Sequence, residues 1–362
     1  MATGKIARKY TTVKTKNSEN KEVYLRRNDG DRIKRLYWGD NIDALSILNN
    51  DPAISGHVSL VYIDPPYNSG FDYCTKNDEF AYGDKYLTED YLVLLKTRLK
   101  LLHDLLSPSG TIYLQLDDKM VFDAKLILDD IFGKQRFRSF ITRKKCQPKN
   151  TSSTNFGNIS DYILVYSKTD NPIWNRPFCK WDDTKILKEY PFIEAESGRR
   201  YKKVPIHAPG IRNGETGKPW RGMLPPIGKH WQYTPEKLEQ MDRDGLIFWS
   251  SKGNPRRKVY LDESQGCAIQ DIWLDYVDVK NQNTELTGYP TEKNLDMLKL
   301  IIEASSNPDD IILDCFCGSG TTLLAAELLN RQWIGVDKSD LAIKTTQSRM
   351  NSYSFDIIQL IN

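Results

Sequence analysis

The sequence predicts an α/β protein with a doubly wound, mostly parallel Rossmann-like sheet that is interrupted by an inserted region. Three observations predict it. Short apolar runs and amphipathic helices alternate between residues 36 and 166, which is typical of a doubly wound sheet. The alternation stops at about residue 168, where Pro, Gly and Trp become frequent. It returns at residue 291 with a further series of helices and apolar runs.

In the first series, β-branched apolar runs predict strands, and leucines at helical spacing predict helices. Ser107-Pro108-Ser109-Gly110 ends the longest helix. The polar stretch 71–84 contains Gly and Asn and predicts a loop. One predicted strand ends near residue 38, and four more cover 58–63, 111–116, 137–142 and 162–166. The predicted helices cover 42–48, 88–106 and 118–132.

In the inserted region, Thr234-Pro235 opens one short helix and Gly245 closes it. The second series predicts helices at 291–305, 321–330 and 339–350 and strands at 310–316 and 333–337. The chain is therefore expected to consist of a polar N-terminal arm (1–34), one half of the α/β domain (35–167), the insert (168–283) and the other half (284–362).

Composition narrows the class of protein. The chain has 362 residues, of which 39% are hydrophobic and 27% charged, as expected of a folded protein in water. It has no apolar run of membrane-spanning length, and residues 1–31 lack the apolar core of a signal peptide. Its six cysteines are scattered and form no CxxC pair, and its four histidines are not grouped with them. We therefore expect no metal site, no membrane association and a cytoplasmic location.

One stretch stands out, at residues 61–70. An apolar run ends in Asp64, Pro65, Pro66 and Tyr67. Because proline lacks an N–H and has a fixed φ, the strand must stop there, with Asp64 and Tyr67 held at its carboxyl end. Ligands bind at that end in open α/β sheets. A strand followed by an ordinary polar turn explains the same residues, so this stretch alone leaves both readings open.

A second stretch has the form strand, glycine turn, helix. Asp314 lies in an apolar run, and Gly318 and Gly320 follow it before the helix that begins at Thr321. Glycines let a backbone approach a ligand closely, and a helix N-terminus attracts anions. Asp337 ends the next apolar run, about twenty residues later, where a carboxylate binds ribose hydroxyls in nucleotide-type sites. The third glycine of the dinucleotide motif and the lysine of a P-loop are both missing from this stretch. The pattern therefore favours a nucleoside-binding turn over an ordinary βα turn.

These two stretches together resemble the amino-group DNA methyltransferases that use S-adenosylmethionine. Asp64-Pro65-Pro66-Tyr67 is similar to their catalytic motif, and the segment 316–320 to their FxGxG cofactor motif. The order, with the catalytic half first, then the insert and then the cofactor half, resembles the β group. That group includes the Mod subunits of type III restriction systems and solitary or type II adenine methyltransferases. Cys315 and Cys317 depart from the family pattern, which has proline and alanine there.

The resemblance implies a site-specific adenine-N6 methyltransferase, with the insert as the target-recognition domain. Asp64 and the carbonyl of Pro65 would accept the two N–H bonds of the amine, and Tyr67 would stack on a flipped base. For the cofactor, the resemblance implies Asp337 at the ribose, Asp40 near the adenine, and the turn from Phe316 to Thr321 around the methionine part. We also expect Lys293 to bind the cofactor carboxylate. Asp40 is equally suited to cap the helix that follows it. For Lys293 the alternative is a solvated charge on the first helical turn.

The implied partner is double-stranded DNA, and the resemblance leaves a homodimer and a restriction-subunit partner open. Basic residues in and before the insert are candidate phosphate contacts: Arg143, Lys144, Lys145, Lys149, Arg199, Arg200, Arg256 and Arg257. Tryptophans interleave with them, and most of these are expected to form the insert's own core. Two alternatives stay open: cytosine-N4 methylation by the same fold, and a catalytically silent nucleic-acid-binding module.

Overall fold

The computed structural model describes residues 32–68, 70–74, 79–148, 154, 156–278 and 287–360, together with the backbone of two strands nearer the N-terminus. The chain divides into two compact units. The first comprises Met1–Pro177 and Gln270–Asn362, and the second comprises Phe178–Ile269. The second unit thus lies inside the predicted insert, 168–283, and is shorter at both ends.

Up to the second unit, the strands are β1 Thr12–Lys16, β2 Glu22–Arg26, β3 Lys34–Trp38, β4 Val58–Ile63, β5 Phe71–Cys74, β6 Phe80–Asp84, β7 Leu106–Leu116, β8 Phe137–Lys144 and β9 Ser160–Ser167. The helices between them are α1 Asn41–Asn49, α2 Thr88–Leu105 and α3 Val121–Phe132. The second unit contains β10 Phe178–Cys179, α4 Asp183–Glu189, β11 Phe192–Ile193, β12 Arg200–Val204, β13 His207–Pro209, β14 Lys229–Trp231, α5 Pro235–Arg243, β15 Ile247–Trp249, β16 Pro255–Tyr260 and β17 Cys267–Ala268. After it come β18 Ile272–Trp273, α6 Leu295–Ser305, β19 Ile311–Asp314, α7 Thr321–Leu328, β20 Gln332–Asp337, α8 Asp340–Arg349 and β21 Asp356–Leu360.

The first unit is built on an eleven-stranded sheet in the order β1-β2-β21-β3-β20-β19-β4-β7-β9-β8-β18. The six strands from β21 to β7 run parallel to one another, and β2 and β9 flank them as antiparallel neighbours. The prediction of a doubly wound, mostly parallel sheet is confirmed. Its centre is the pair β19 and β4, one strand from each half of the chain.

The core follows from the apolar runs seen in the sequence. All six residues of β4 are buried, as expected for a central parallel strand covered on both faces. α2 buries one stripe at helical spacing, which includes Leu95, Leu99 and Leu102. Asn294 caps α6 by accepting a hydrogen bond from the Met297 N–H, so that helix begins at Leu295 rather than at the predicted residue 291.

Two expectations about irregular segments were wrong. Residues 71–84 were expected to be a loop, but β5 and β6 form an antiparallel hairpin in which Tyr73 stacks on Tyr82 with ring centroids 4.8 Å apart. Residues 1–34 were expected to be an arm, but β1 and β2 pair with each other and β2 pairs with β21. Both pairings depend on partners that a local reading of the sequence does not reveal.

The second unit has its own small sheets, in the orders β11-β12-β16-β15, β13-β14 and β10-β17. Its core joins Trp220, Trp231, Leu238 and Met241, and the first two rings meet edge to face. These two tryptophans therefore pack in a core, as expected for most of the set. No helix among the described residues has the length and apolarity needed to cross a membrane.

Candidate active site

The carboxyl ends of three neighbouring parallel strands bring three carboxylates to one edge of the sheet. Asp64 follows β4, Asp314 ends β19 and Asp337 ends β20. The register places Leu313 opposite Val61, so the catalytic and cofactor stretches lie side by side although they are far apart in sequence. Strand geometry alone therefore builds the cleft that the two motifs require.

A cavity of about 710 Å³ opens at this edge. It is lined by nearly all the residues predicted for catalysis and cofactor binding: Asp40, Asp64, Pro65, Pro66, Tyr67, Lys293, Asp314, Phe316, Gly318, Thr321 and Asp337. Asp64 and Gly318 thus face the same cavity. Gly320 is not part of the lining; it precedes α7 with a left-handed φ of +73° and shapes the turn from behind.

Both oxygens of the Asp64 carboxylate have partners. The Tyr67 hydroxyl donates to Oδ1, and the Lys293 ammonium lies 2.7 Å from Oδ2. Burial, with the Asp64 charge adding to it, raises the pKa of Tyr67 well above its usual value. The phenol therefore stays protonated and serves as a donor. Its ring also faces the Lys293 ammonium, 5.7 Å from the ring centroid.

The surroundings of Lys293 decide against one of its two predicted roles. Its ammonium contacts Asp64 and its side chain is only 11% exposed, so Lys293 is not a solvated surface charge. Lys293 lines the cavity, and its contact with a cofactor carboxylate stays a prediction. The sequence offered no signal for this contact, because Asp64 and Lys293 are far apart along the chain and meet only through the sheet.

The glycine turn is held in place by the carboxylates of Asp337 and Asp314. Asp337 accepts hydrogen bonds from the N–H groups of Gly318 and Ser339, each at 2.9 Å. Asp314 accepts from the Phe316 N–H at 3.0 Å and from the Thr322 hydroxyl at 2.6 Å. These bonds fix the turn before any ligand arrives.

The electrostatics of these two carboxyls are dominated by burial. Burial raises the pKa of Asp314 to about 7, against the opposing effect of its hydrogen bonds with Thr322 and Phe316. Burial also raises the pKa of Asp337, although the Ser339 and Gly318 N–H groups favour its charged form. Asp314 thus changes charge near neutral pH, which makes the cavity floor sensitive to pH.

Asp40 performs the structural role that the sequence left open. Its carboxylate caps α1 by accepting from the Ile42 N–H at 2.9 Å, and it pairs with Arg98 at 3.1 Å. Arg98 is 8% exposed and also donates to Asn41, whose amide in turn donates to the Cys315 carbonyl. Sequence reasoning missed Arg98, yet a signal existed, since this arginine lies within the apolar stripe of α2.

A second cluster that was missed lies behind the glycine turn. Arg349 pairs with Glu292 and donates to the Ser319 carbonyl at 3.0 Å and the Thr321 hydroxyl at 2.6 Å. Both charged side chains are almost completely buried. This pair ties the segment before α6 to the turn that begins α7.

The candidate phosphate contacts separate into several groups. Arg143 is fully buried and paired with Asp161 and Asp278, which contradicts its predicted contact with DNA. A guanidinium without exposed surface, enclosed by two carboxylates, cannot reach a phosphate. Lys144 and Lys145 follow it and are half-buried. Lys149 lies outside the described residues.

In the second unit, the guanidinium of Arg199 is already occupied. It donates to Asp262 and Glu263 at 2.7 Å and stacks on the Tyr260 ring. The remaining three arginines differ in exposure and partners: Arg200 donates to the Tyr190 carbonyl, Arg257 donates to the Tyr233 hydroxyl, and Arg256 is exposed.

Comparison with known proteins gives one consistent answer. A family model described as DNA methylase, N6_N4_Mtase, matches residues 58–348. The chain is 49% identical over 313 residues to the type II methyltransferase M.EcaI of Enterobacter cloacae, which covers 86% of this chain and 68% of that protein. It is 28% identical over 325 residues to the type II methyltransferase M.KpnI of Klebsiella pneumoniae, covering 82% and 76%.

The chain is also 30% identical over 329 residues to the Mod subunit of the type III restriction-modification enzyme StyLTI of Salmonella typhimurium. That match covers 81% of this chain but spans only 50% of the Mod subunit. The family match extends over most of the sheet and includes both motifs. The predicted resemblance is confirmed, and this chain belongs to the N6_N4_Mtase family of DNA methylases, in the β group.

Proposed function

We propose that this chain transfers a methyl group from S-adenosylmethionine to the exocyclic N6 of an adenine flipped out of double-stranded DNA. The observation that carries the proposal is the shared cavity of Asp64 and the Gly318 turn. One wall offers acceptors for an amine and the other a nucleoside-type turn. Methyl transfer needs these two functions next to each other.

The cavity suits a cofactor with net positive charge. S-adenosylmethionine carries a sulfonium and an ammonium against one carboxylate. The lining has more acidic than basic side chains: Asp40, Asp64, Asp72, Asp84, Glu292, Asp314, Asp337 and Asp340 against Lys85, Arg98, Lys293 and Lys338. It also has aromatic rings to accept a purine, among them Tyr73, Tyr82 and Tyr289.

In this proposal Asp337 binds the cofactor ribose with the lone pairs that its two backbone hydrogen bonds leave free. The turn 316–321 would hold the methionine part, and Asp40 would lie on the side of the adenine ring. When bound, the cofactor supplies an electrophilic methyl group on a sulfonium. The Gly318 backbone has a positive φ of +48° and approaches Tyr289, so a side chain at this position would narrow the same space.

The chain's own residues prepare the amine. The lone pair of an adenine amine is delocalised into the ring, so the nitrogen must be held in a pyramidal geometry to react. The Asp64 carboxylate and the Pro65 carbonyl each accept one N–H bond. As the N–C bond forms and the S–C bond breaks, positive charge develops on the nitrogen and is stabilised by the Asp64 charge. A neutral thioether would leave, and the methylated amine would give up one proton to water. Tyr67 stacks on the flipped base, whose loss of duplex stacking an aromatic face offsets.

We prefer adenine to cytosine because Asp, not Ser, precedes Pro-Pro-Tyr. The link between this Asp and adenine comes from family resemblance. The test is to methylate DNA with the purified protein and digest it to nucleosides. We expect N6-methyladenine. N4-methylcytosine without N6-methyladenine would refute the choice of base. If neither methylated nucleoside forms and the cofactor does not bind, the catalytically silent module is favoured.

Asp64→Asn supplies the matched variant, because it keeps the shape of the side chain and removes its charge. We expect methyl transfer to fall by about a hundredfold or more, since charge stabilisation at the reacting atom is lost. Cofactor binding should persist, and saturating cofactor should still raise the free energy of unfolding by ~2–3 kcal/mol at about 100 times its Kd. An active Asp64→Asn protein would end this mechanism.

We further propose the unit Phe178–Ile269 as the target-recognition domain. Arg256, which is exposed, and the half-buried Lys144 and Lys145 are the favoured phosphate contacts. The match to a type III Mod subunit keeps a restriction-subunit partner as a prediction, and a homodimer stays one as well.

A further inference from the structure

Lys293 is placed against the proposed catalytic carboxylate by a rigid segment. Glu292, just before it, is bound by Arg349 and by the Thr287 hydroxyl at 2.6 Å. Asn294, just after it, caps α6 and donates to the Val277 carbonyl at 3.1 Å. The backbone of Lys293 therefore lies between two anchored residues, which fixes the position from which its ammonium contacts Asp64.

This position is unfavourable for a cation on its own. Lys293 precedes the first turn of α6, where the helix dipole disfavours positive charge. Its side chain is also largely buried, which penalises an ammonium. The contact of 2.7 Å with Asp64 is the interaction that offsets both effects.

Many charged and titratable groups surround this pair. They are Asp64, Tyr62 and Tyr67 from β4 and its extension, Arg143 from β8, Asp161 from β9, Asp278 before α6 and Asp314 from β19. Arg143 is already bound by Asp161 and Asp278. Among the described residues, Lys293 is thus the cation in ion-pair contact with Asp64.

The balance of these effects keeps the lysine charged. Burial lowers the pKa of Lys293, but the carboxylates of Asp64 and Asp278 outweigh it and leave that pKa above its usual value. An ammonium is therefore present at neutral pH, next to a carboxylate in acidic surroundings. Arg143 is already bound by two carboxylates, so Lys293 supplies the direct cationic contact of Asp64 among surroundings that are otherwise mostly acids and phenols.

We propose that Lys293 is a positioning residue for methyl transfer, whose ammonium offsets the acidic surroundings of the Asp64 carboxylate and holds it turned toward the amine of the target base. This inference rests on the proposed function. It differs from a cofactor-binding role, in which the Lys293 ammonium would contact the cofactor carboxylate. The two roles predict changes in different quantities: the pH dependence of kcat/KM for positioning, and the Kd for S-adenosylmethionine for cofactor binding.

The experiment compares Lys293→Met and Lys293→Gln, which remove the charge, with Lys293→Arg, which keeps it. For each, kcat/KM is measured from pH 5 to 9 with duplex DNA, and the Kd for S-adenosylmethionine is measured separately. We expect the acid limb of the Met and Gln profiles to move up by ~1 pH unit or more, with about tenfold lower activity below it. The Kd should stay within about twofold of wild type, and Lys293→Arg should restore the limb.

Lys299→Met, on the same helix but outside the cavity, is the control for loss of a lysine from α6. An unchanged acid limb in folded Met and Gln variants overturns the inference. So does a cofactor Kd about tenfold weaker without a shift of the limb. Failure of both variants to fold, while Lys299→Met folds, assigns Lys293 a structural role and also overturns it. If the wild-type protein transfers no methyl group, it is the proposed function that fails.

Discussion

Gly320 allows a sharp test of how the cofactor turn is built. Its φ is +73°, and a Cβ added there would lie 2.7 Å from Oγ1 and 2.8 Å from Cγ2 of Thr346. Thr346 is fully buried and its hydroxyl donates to the Gly318 carbonyl at 3.0 Å. Gly320→Ala therefore both strains the backbone and pushes on a residue that holds the turn.

The two costs can be separated. The left-handed conformation costs an alanine about 1–2 kcal/mol, and crowding in a packed site costs about 1–3 kcal/mol more. Gly56 is the matched control, because its φ is +76° and nothing lies within 4 Å of its added Cβ. We expect Gly56→Ala to show the first cost alone and Gly320→Ala to show both.

The assay is urea unfolding of both variants, with cofactor affinity measured by titration. Gly320→Ala should also bind S-adenosylmethionine more weakly, whereas Gly56→Ala should bind it as wild type does. Thr346→Ala removes the two nearest atoms, so in a double-mutant cycle it should relieve part of the Gly320→Ala cost. Equal losses for the two glycine variants, or strict additivity with Thr346→Ala, would refute the reasoning.

Three further predictions concern charged side chains. Because the raised pKa of Asp314, about 7, lets the folded state keep a proton to higher pH than the unfolded chain, the contribution of Asp314 to the free energy of unfolding should fall by up to about 4 kcal/mol between pH 4 and 7. The difference in free energy of unfolding between wild type and Asp314→Asn, measured by urea unfolding at both pH values, should therefore shift by that amount, and an unchanged difference would contradict that pKa. Arg143→Met leaves Asp161 and Asp278 without their buried partner and should cost ~3–5 kcal/mol of stability. Arg256→Met should instead lower DNA affinity at nearly unchanged stability, and the reverse pattern would reinstate Arg143 as the phosphate contact.

The sequence predicted the parts of the fold that depend on local periodicity. The buried run of β4, the stripe of α2 and the glycine turn before α7 each carry their own signal, and the order of strands and helices follows from them. The positions of Asp64, Asp314 and Asp337 at strand ends were predictable for the same reason. In a parallel sheet, residues at the carboxyl ends must meet at one edge.

The remainder depends on partners that are distant in sequence. In the sequence, Arg143 and Lys293 look like any solvent-exposed charge. Only the fold places carboxylates next to them. The hairpin of β5 and β6 was missed because its stability comes from cross-strand pairing, including the stack of Tyr73 on Tyr82, rather than from a long apolar pattern. Buried polar contacts of this kind are specified by topology and not by spacing.

The central pairing of β4 with β19 also sets the order of events during synthesis. Ile63 ends β4 and Ile311 begins β19, so one edge of this apolar strand waits for a partner that the ribosome makes roughly 250 residues later. At about 5–20 residues per second, the delay is about 12–50 s. An unpaired apolar edge is a site of aggregation. The unit Phe178–Ile269 is synthesised within that interval, so β4 can pair with β19 only after this unit has been made.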